Sequence, residues 1–372
     1  MADPQHSRRD FLRGRAALAA AADAVEAVLD AATETAGDAI DRRLGGTASP
    51  ETIRRGPRTV TLSRRAMACD FELMLADENA VAQGMAALDR VERLEDQLTV
   101  YRDDSELVDL NRRAASERVA VEPRLFSLLE LCGRIHTDSE GAFDPTSGPL
   151  SRVWGFHRRE GRMPSDDERR AALGRVGWRH VELDATEQTV RFTHDGVEIN
   201  VNSIGKGYAL DRVAEDLAER EVHDSLMHGG RSTLLARGDD HLREGGGWLA
   251  AIRNPLHPQQ RLAEFVLRDE ALSTSGSGTQ FFEHEGRRYG HLIDPRTGWP
   301  AEGLYSATVI APTAAEADAL STAAYLLGVE GTRRLCGRRP GLRALLLAPE
   351  EEGVVAVHAI NLEDSAWRPA SA

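Results

Sequence analysis

Apolar residues alternate from Val60 and Leu62 and again along 67–75, the period of two expected of strands with one buried face. Met85, Leu88, Val91, Leu94 and Leu98 then recur at helical spacing, which predicts a helix over 83–98, and a second helix is expected over 125–135. Residues 181–201 read as two strands, with Asp195-Gly196 as the turn between 190–192 and 197–199. Leu210, Val213 and Leu217 give an amphipathic helix over 207–219. Strands are expected at 233–237, 248–253, 262–267 and 306–311. Thr313 and Glu316 have the spacing of a capping box, opening a helix that runs to Leu327 and stops at Gly328. Strands at 342–347 and 354–360 follow. Several consecutive strand pairs with interspersed helices favour an α+β fold over a doubly wound parallel sheet.

The chain divides into a leader at 1–57, rich in Ala and Arg, one domain at 58–363 and a tail at 364–372. Ser7-Arg8-Arg9-Asp10-Phe11-Leu12-Arg13 resembles a twin-arginine export signal, although the apolar stretch behind it, 16–22, is short. A mobile leader and an export signal are both open, so the compartment is either the cytoplasm or the periplasmic side of the cell envelope. No apolar run approaches the ~18 residues of a membrane span.

Charge narrows the partners. There are 60 acidic against 46 basic residues, a formal charge of -14, so a phosphate-backbone binder is not expected and nucleic acid is excluded as the main partner. The basic residues are almost all Arg, and Lys206 is the only lysine. Cys69, Cys132 and Cys336 form no C-x-x-C pair and no disulfide framework.

Familiar signatures fail. Gly205-Lys206-Gly207 lacks the Ser/Thr that a P-loop needs after its lysine, and His284-Glu285 lacks a second histidine at position 288. Four other segments carry candidate chemistry. Asp318 and Thr322 sit one helical turn apart, two oxygens suited to a hard cation such as Mg²⁺. His291-Leu292-Ile293-Asp294-Pro295-Arg296-Thr297-Gly298 packs a potential base, a carboxylate and a guanidinium around a turn, and His291 or Asp294 could deprotonate a hydroxyl. Asn200 to Tyr208 enters a helix with Gly205 and Gly207 free for close backbone approach and Lys206 adding charge. Gly141 to Leu150 reads as a rigid loop followed by Trp154-Gly155-Phe156.

Together with Tyr101, Ser105-Glu106-Leu107, Gly229-Gly230 and Thr274-Ser275-Gly276, these strings resemble the ApbE family, the FAD:protein FMN transferases, over about 66–327. The resemblance implies a T-fold-like α+β core of mixed sheets with packed helices. It also implies FAD as FMN donor, Mg²⁺ on the pyrophosphate, and an acceptor flavoprotein that offers a Ser or Thr hydroxyl. By position, Mg²⁺ would be held by Asp318, Thr322 and the carbonyl of Ser203. FAD would touch Met67, Tyr101, Ala142, Phe143, Asp144, Asn200, Lys206, His291 and Leu292. The acceptor motif itself (Asp, two residues, Ser/Thr, Gly/Ala, Ser/Thr) is absent from the chain, so the acceptor must be a separate protein.

Three departures stand out. The family's Met-Gly-Thr is Met67-Ala68-Cys69, its Asp-Leu-Gly-Gly is Asn200-Val201-Asn202-Ser203, and its Gly-Gly-Asp is Gly229-Gly230-Arg231. They leave two other outcomes open: an FAD pyrophosphatase releasing FMN and AMP, and a flavin-binding paralogue without chemistry.

Overall fold

The computed structural model describes residues 52–55, 59–241, 243–278, 280–350, 353–363 and 367–369. The twin-arginine-like segment lies outside these residues. In chain order the elements are β1 (Thr52–Arg55), β2 (Val60–Ala66), β3 (Cys69–Leu75), α1 (Val81–Leu98), α2 (Glu106–Arg113), β4 (Val119–Ala120), α3 (Pro123–Asp138), α4 (Gly148–Val153) and α5 (Asp166–Leu173). They continue with β5 (Val181–Asp184), β6 (Thr189–Phe192), α6 (Gly205–Ala218), β7 (Ser225–Gly229), β8 (Thr233–Arg237), β9 (Trp248–Arg253), β10 (Arg261–Leu267), β11 (Ala271–Gly276), β12 (Phe281–His284) and β13 (Arg287–Gly290). The last are β14 (Ile293–Asp294), β15 (Trp299–Pro300), β16 (Ser306–Ala311), α7 (Ala314–Arg338), β17 (Arg343–Pro349), β18 (Val355–Ile360) and β19 (Trp367–Pro369).

One nine-stranded sheet, ordered β1-β2-β3-β7-β8-β11-β16-β17-β18, organises the molecule, and every neighbouring pair in it is antiparallel. Side chains alternate across it. Ala307, Val309, Ala344 and Leu346 face the main core, which α1, α6 and α7 fill. Ile310, Leu345 and Leu347 face the opposite way, against Trp248, Phe265 and Leu267 of the small β9-β10-β19 sheet. Both faces are covered, which explains why β16 and β17 read as continuous apolar runs rather than as alternating strands. Helices on one face and a second sheet on the other make the α+β architecture that the pattern predicts.

Three expectations are corrected. The strand pairing begins at Thr52, inside the stretch taken as leader, because β1 pairs with β2; at the other end β19 pairs with β10 inside the stretch taken as tail. The hairpin turn is at 185–188, not at Asp195-Gly196, and residues 197–199 form no strand. Val197 and Ile199 are buried nonetheless. Asn111 supplies what a neighbouring strand would, donating from Nδ2 to the Ile199 carbonyl (2.8 Å) and accepting the Ile199 N–H on Oδ1 (2.8 Å). Finally, Gly328 does break the helix begun at Thr313 (φ 67°, ψ -173°), but a second helical segment resumes immediately and runs to Arg338. Among the described residues no helix is long and apolar enough to cross a membrane.

Candidate active site

The site forms where the first turns of α6 and α7 cross. Thr313 caps α7 by accepting the N–H of Glu316 (3.2 Å), as its spacing predicts. The capping box is incomplete, because the Glu316 carboxylate turns instead to Arg339. The remaining helix N–H groups are satisfied from α6. Asp211 accepts those of Ala314 (2.8 Å) and Ala315 (2.9 Å). Burial pushes the Asp211 carboxyl up to about 6, against the pull of those two bonds. The helices approach so closely that a Cβ on residue 207 would lie 2.0 Å from the Ala314 carbonyl oxygen. Gly207 is therefore required. Gly205 is not, since its nearest foreign atom would be a Val201 methyl at 3.9 Å.

This crossing brings the lysine turn to Asp318, which is 4% exposed. Asp318 Oδ2 accepts the Gly207 N–H (3.0 Å), and Lys206 Nζ lies 3.3 Å from Oδ1. Oδ1 also accepts the Thr233 hydroxyl (3.0 Å) and the Ser273 hydroxyl (3.4 Å). Burial works against the Lys206 charge, yet the Asp318 carboxylate outweighs it and lifts the ammonium above its ordinary range. Thr322 points into the same hydroxyl network: Ser275 Oγ is 3.1 Å from its Oγ1 and 2.9 Å from Ser321 Oγ. One carboxylate ringed by hydroxyls is a hard-oxygen donor set. Ser203 lies in the turn that enters α6.

His291 lies near enough to Lys206 to feel its charge. Its Nδ1 is 3.1 Å from the Gln280 carbonyl oxygen. Burial, reinforced by the Lys206 charge, pushes the imidazole below its usual value, so the ring is neutral at pH 7. Asp294 is spent elsewhere. Its Oδ1 accepts Arg296 N–H and Nε–H (both 2.9 Å) and its Oδ2 accepts the guanidinium (2.7 Å). Arg296 also donates to the Leu326 carbonyl (3.1 Å), so this pair ties the turn to α7. The geometry therefore separates the two candidate bases and leaves His291 as the free one. Leu292 packs on the main core.

Met67 and Ala68 form the two-residue turn between β2 and β3, both at positive φ (50° and 58°), although neither is glycine. Cys69, next in line, is close enough to Lys206 and Asp318 to feel their charges, but burial dominates and pushes its thiol up to about 11. Gly230 packs against Cys69 and Arg231 is exposed on the same β7–β8 turn, so the inverted charge sits at the rim. Ala142 and Phe143 are buried, and their main chain is largely engaged within the protein: the Ala142 N–H donates to the Ser139 carbonyl (3.0 Å), the Phe143 N–H donates to Ser139 Oγ (3.1 Å), and the Phe143 carbonyl lies 3.1 Å from His136 Nδ1. The Asp144 side chain is likewise engaged inside the protein. It accepts Thr146 N–H (2.8 Å), Thr146 Oγ1 (2.6 Å) and Trp178 N–H (3.1 Å). Burial alone would raise its pKa, but His136 and these bonds hold it below the usual value.

Asn200 and Tyr101 are connected by a residue that sequence reasoning missed. Asn200 Oδ1 accepts the Asn202 N–H (2.9 Å) and Asn202 Nδ2 donates to Tyr101 OH (3.2 Å). The Tyr101 ring packs on His157, tilted by 31° with centroids 4.8 Å apart, and borders a cleft of about 740 Å³ that Arg112, Arg152, Arg175 and Glu198 also line. Thr233 and Ser273 were missed as well. The only available signal was a polar position inside each strand, where a buried hydroxyl needs a partner.

The model of the ApbE family matches residues 66–346. An FAD:protein FMN transferase of Treponema pallidum is 34% identical over 286 residues, covering 73% of this chain and 79% of that protein. One from Escherichia coli is 32% identical over 259 residues, covering 68% and 73%. The apo crystal structure of the Pseudomonas stutzeri flavinyl transferase ApbE superposes with a TM-score of 0.73 at 27% identity, covering 86% of this chain and 98% of that one. The Vibrio cholerae flavin transferase ApbE gives 0.71 at 26%, covering 84% and 98%. The family model and these relatives together show that this chain is a member of the ApbE family.

Proposed function

We propose that this protein is an FAD:protein FMN transferase that moves FMN from FAD to a Ser or Thr hydroxyl of a separate acceptor flavoprotein and releases AMP. The observation that carries the reading is the meeting of Asp318, Lys206 and the Gly207 N–H, with a neutral His291 close enough to feel the Lys206 charge, drawn from segments far apart in sequence.

Asp318, Thr322 and the Ser203 carbonyl would hold Mg²⁺, and the hard-oxygen chemistry of Asp318 and its hydroxyl neighbours supports that assignment. When bound, the ion neutralises pyrophosphate charge and polarises phosphorus toward attack. Lys206 adds a fixed positive charge, and the Gly207 turn keeps it there. Tyr101, Asn200 and the loop of 142–144 would line the approach for FAD. The acceptor oxygen attacks the FMN-side phosphorus as His291 Nε2 takes its proton. The bridging P–O bond breaks and AMP leaves with its phosphate oxygen.

The test is incubation of the full chain with FAD, Mg²⁺ and an acceptor domain from the same genome, read by intact mass. The expected result is a gain of one FMN on the acceptor and one AMP in solution. Asp318→Ala abolishes both. Full activity of that variant in EDTA would refute the metal assignment. Release of FMN into solution without acceptor labelling would identify a pyrophosphatase instead.

A further inference from the structure

A neutral imidazole carries its proton on one nitrogen only, and the partner of that nitrogen decides which. The Gln280 carbonyl, 3.1 Å from His291 Nδ1, can only accept, so Nδ1 holds the proton and Nε2 keeps its lone pair. The same oxygen accepts the His291 backbone N–H at 3.0 Å, so one atom orients both ring and main chain. That atom lies one residue before β12, opposite His291 in continuation of the β12–β13 register, in which Phe281 faces Gly290. Beyond the hairpin backbone, a second anchor is the Gln280 side chain, whose amide Nε2 donates to the Phe156 carbonyl (3.0 Å). Phe156 is itself held. It is 6% exposed, packs with Trp154, Phe282 and Tyr289, and sets its ring edge-on to the His291 imidazole at 6.4 Å.

We propose that Gln280 is a positioning residue for the transfer: its side-chain amide, fastened to the Phe156 carbonyl, holds its backbone carbonyl where it locks His291 as the Nδ1–H tautomer and turns Nε2 toward the acceptor hydroxyl. The inference rests on the reading of His291 as base. It adds a specific requirement, that the amide donor of Gln280 matters through the protonation pattern of another residue. Without the anchor the carbonyl drifts, and the ring is free to place its proton on Nε2, where it cannot accept one.

Two-bond proton–nitrogen correlation on the full chain labelled with ¹⁵N-histidine reads the tautomer directly, with His291→Gln assigning the resonance. The wild-type protein is expected to show a protonated Nδ1 and an unprotonated Nε2. Gln280→Glu has the same size but at pH 8 has no proton to donate to Phe156. An Nε2–H population is expected to appear in it, with kcat for FMN transfer falling about 10-fold or more while KM for FAD stays within about twofold. Gln280→Ala should behave alike. A wild-type His291 protonated on Nε2, or a Gln280→Glu variant that keeps the wild-type tautomer and kcat, overturns the proposal. If the tautomer pattern holds but wild-type protein labels no acceptor, the functional reading fails while the positioning role of Gln280 stands.

Discussion

The two glycines flanking Lys206 look equivalent in sequence, and the structure assigns them opposite sensitivities. In Gly207→Ala the new Cβ would lie 2.0 Å from the Ala314 oxygen, 2.4 Å from its carbon and 2.7 Å from Ala315 N, all of them backbone atoms. Backbone cannot swing aside as a side chain would, so the first turns of α6 and α7 must part by roughly 1 Å. That shift stretches the Gly207–Asp318 bond and both Asp211 caps. Overpacking costs about 1–3 kcal/mol. Loss of a helix cap costs about 1 kcal/mol, and weakening a hydrogen bond to a charged group costs about 1.5 kcal/mol or more. The expected total is about 3.5–5.5 kcal/mol, or a fall in Tm of about 4–8 °C for a chain of this size. Gly205→Ala meets nothing closer than 3.9 Å and should leave Tm unchanged or raise it slightly, since alanine favours helix. Thermal unfolding by circular dichroism, paired with FMN transfer by intact mass, measures both effects. Gly207→Ala should also lose transfer, because Lys206 and Asp318 no longer meet. A Gly207→Ala protein that melts within about 2 °C of wild type, or a Gly205→Ala protein that is equally damaged, would refute the reasoning.

Other outcomes follow from the same contacts. Ala68 holds φ 58° in the β2–β3 turn, so Ala68→Gly should stabilise by about 1 kcal/mol, seen as a small rise in Tm. Asp211 titrates near 6 in the fold against 3.8 unfolded, so the folded state keeps its proton longer. Its contribution to stability therefore declines as pH rises from about 4 to about 6, and Asp211→Asn should remove that slope from denaturant midpoints measured across the window. His291 is pushed the other way, below 6.5, so the unfolded chain takes up its proton first and stability from this group is lost as pH falls through 6.5. The working neutral ring also predicts that kcat holds down to pH values below 6.5, and a limb that begins to fall above pH 7 would show that another group is the base.

Much of this was legible in the residue pattern. The alternation of β2 and β3, the helical spacing in α1, the Thr313 cap and the break at Gly328 are local signals, and each appears where expected. The pairing of Asp318 with Thr322 one helical turn apart was also readable from spacing, whereas the meeting of that carboxylate with Lys206 and Gly207 is a fact of the fold. What escaped was decided by tertiary contact. Residues 197–199 look like a strand, but Asn111 takes the hydrogen bonds a neighbour strand would have made. β7 and β11 were not expected; Ser273, Thr274 and Ser275 lack the apolar alternation of a strand, and in the fold their hydroxyls meet Asp318, Thr308 and Ser321. The competition between His291 and Asp294 for the same role could not be resolved from spacing, because only the folded turn reveals that Arg296 has claimed the carboxylate.

The pairing of Trp367–Pro369 with β10 bears on how this protein is handled. Trp367 packs against the cluster that backs the nine-stranded sheet, and its strand covers one border of the three-stranded sheet. Trimming the chain at residue 363 for crystallisation would strip that border and bare a row of backbone donors and acceptors beside Phe265, a ready template for chain-to-chain aggregation. Affinity handles and fusion partners are better spaced by a flexible linker beyond Ala372 than joined at the strand itself.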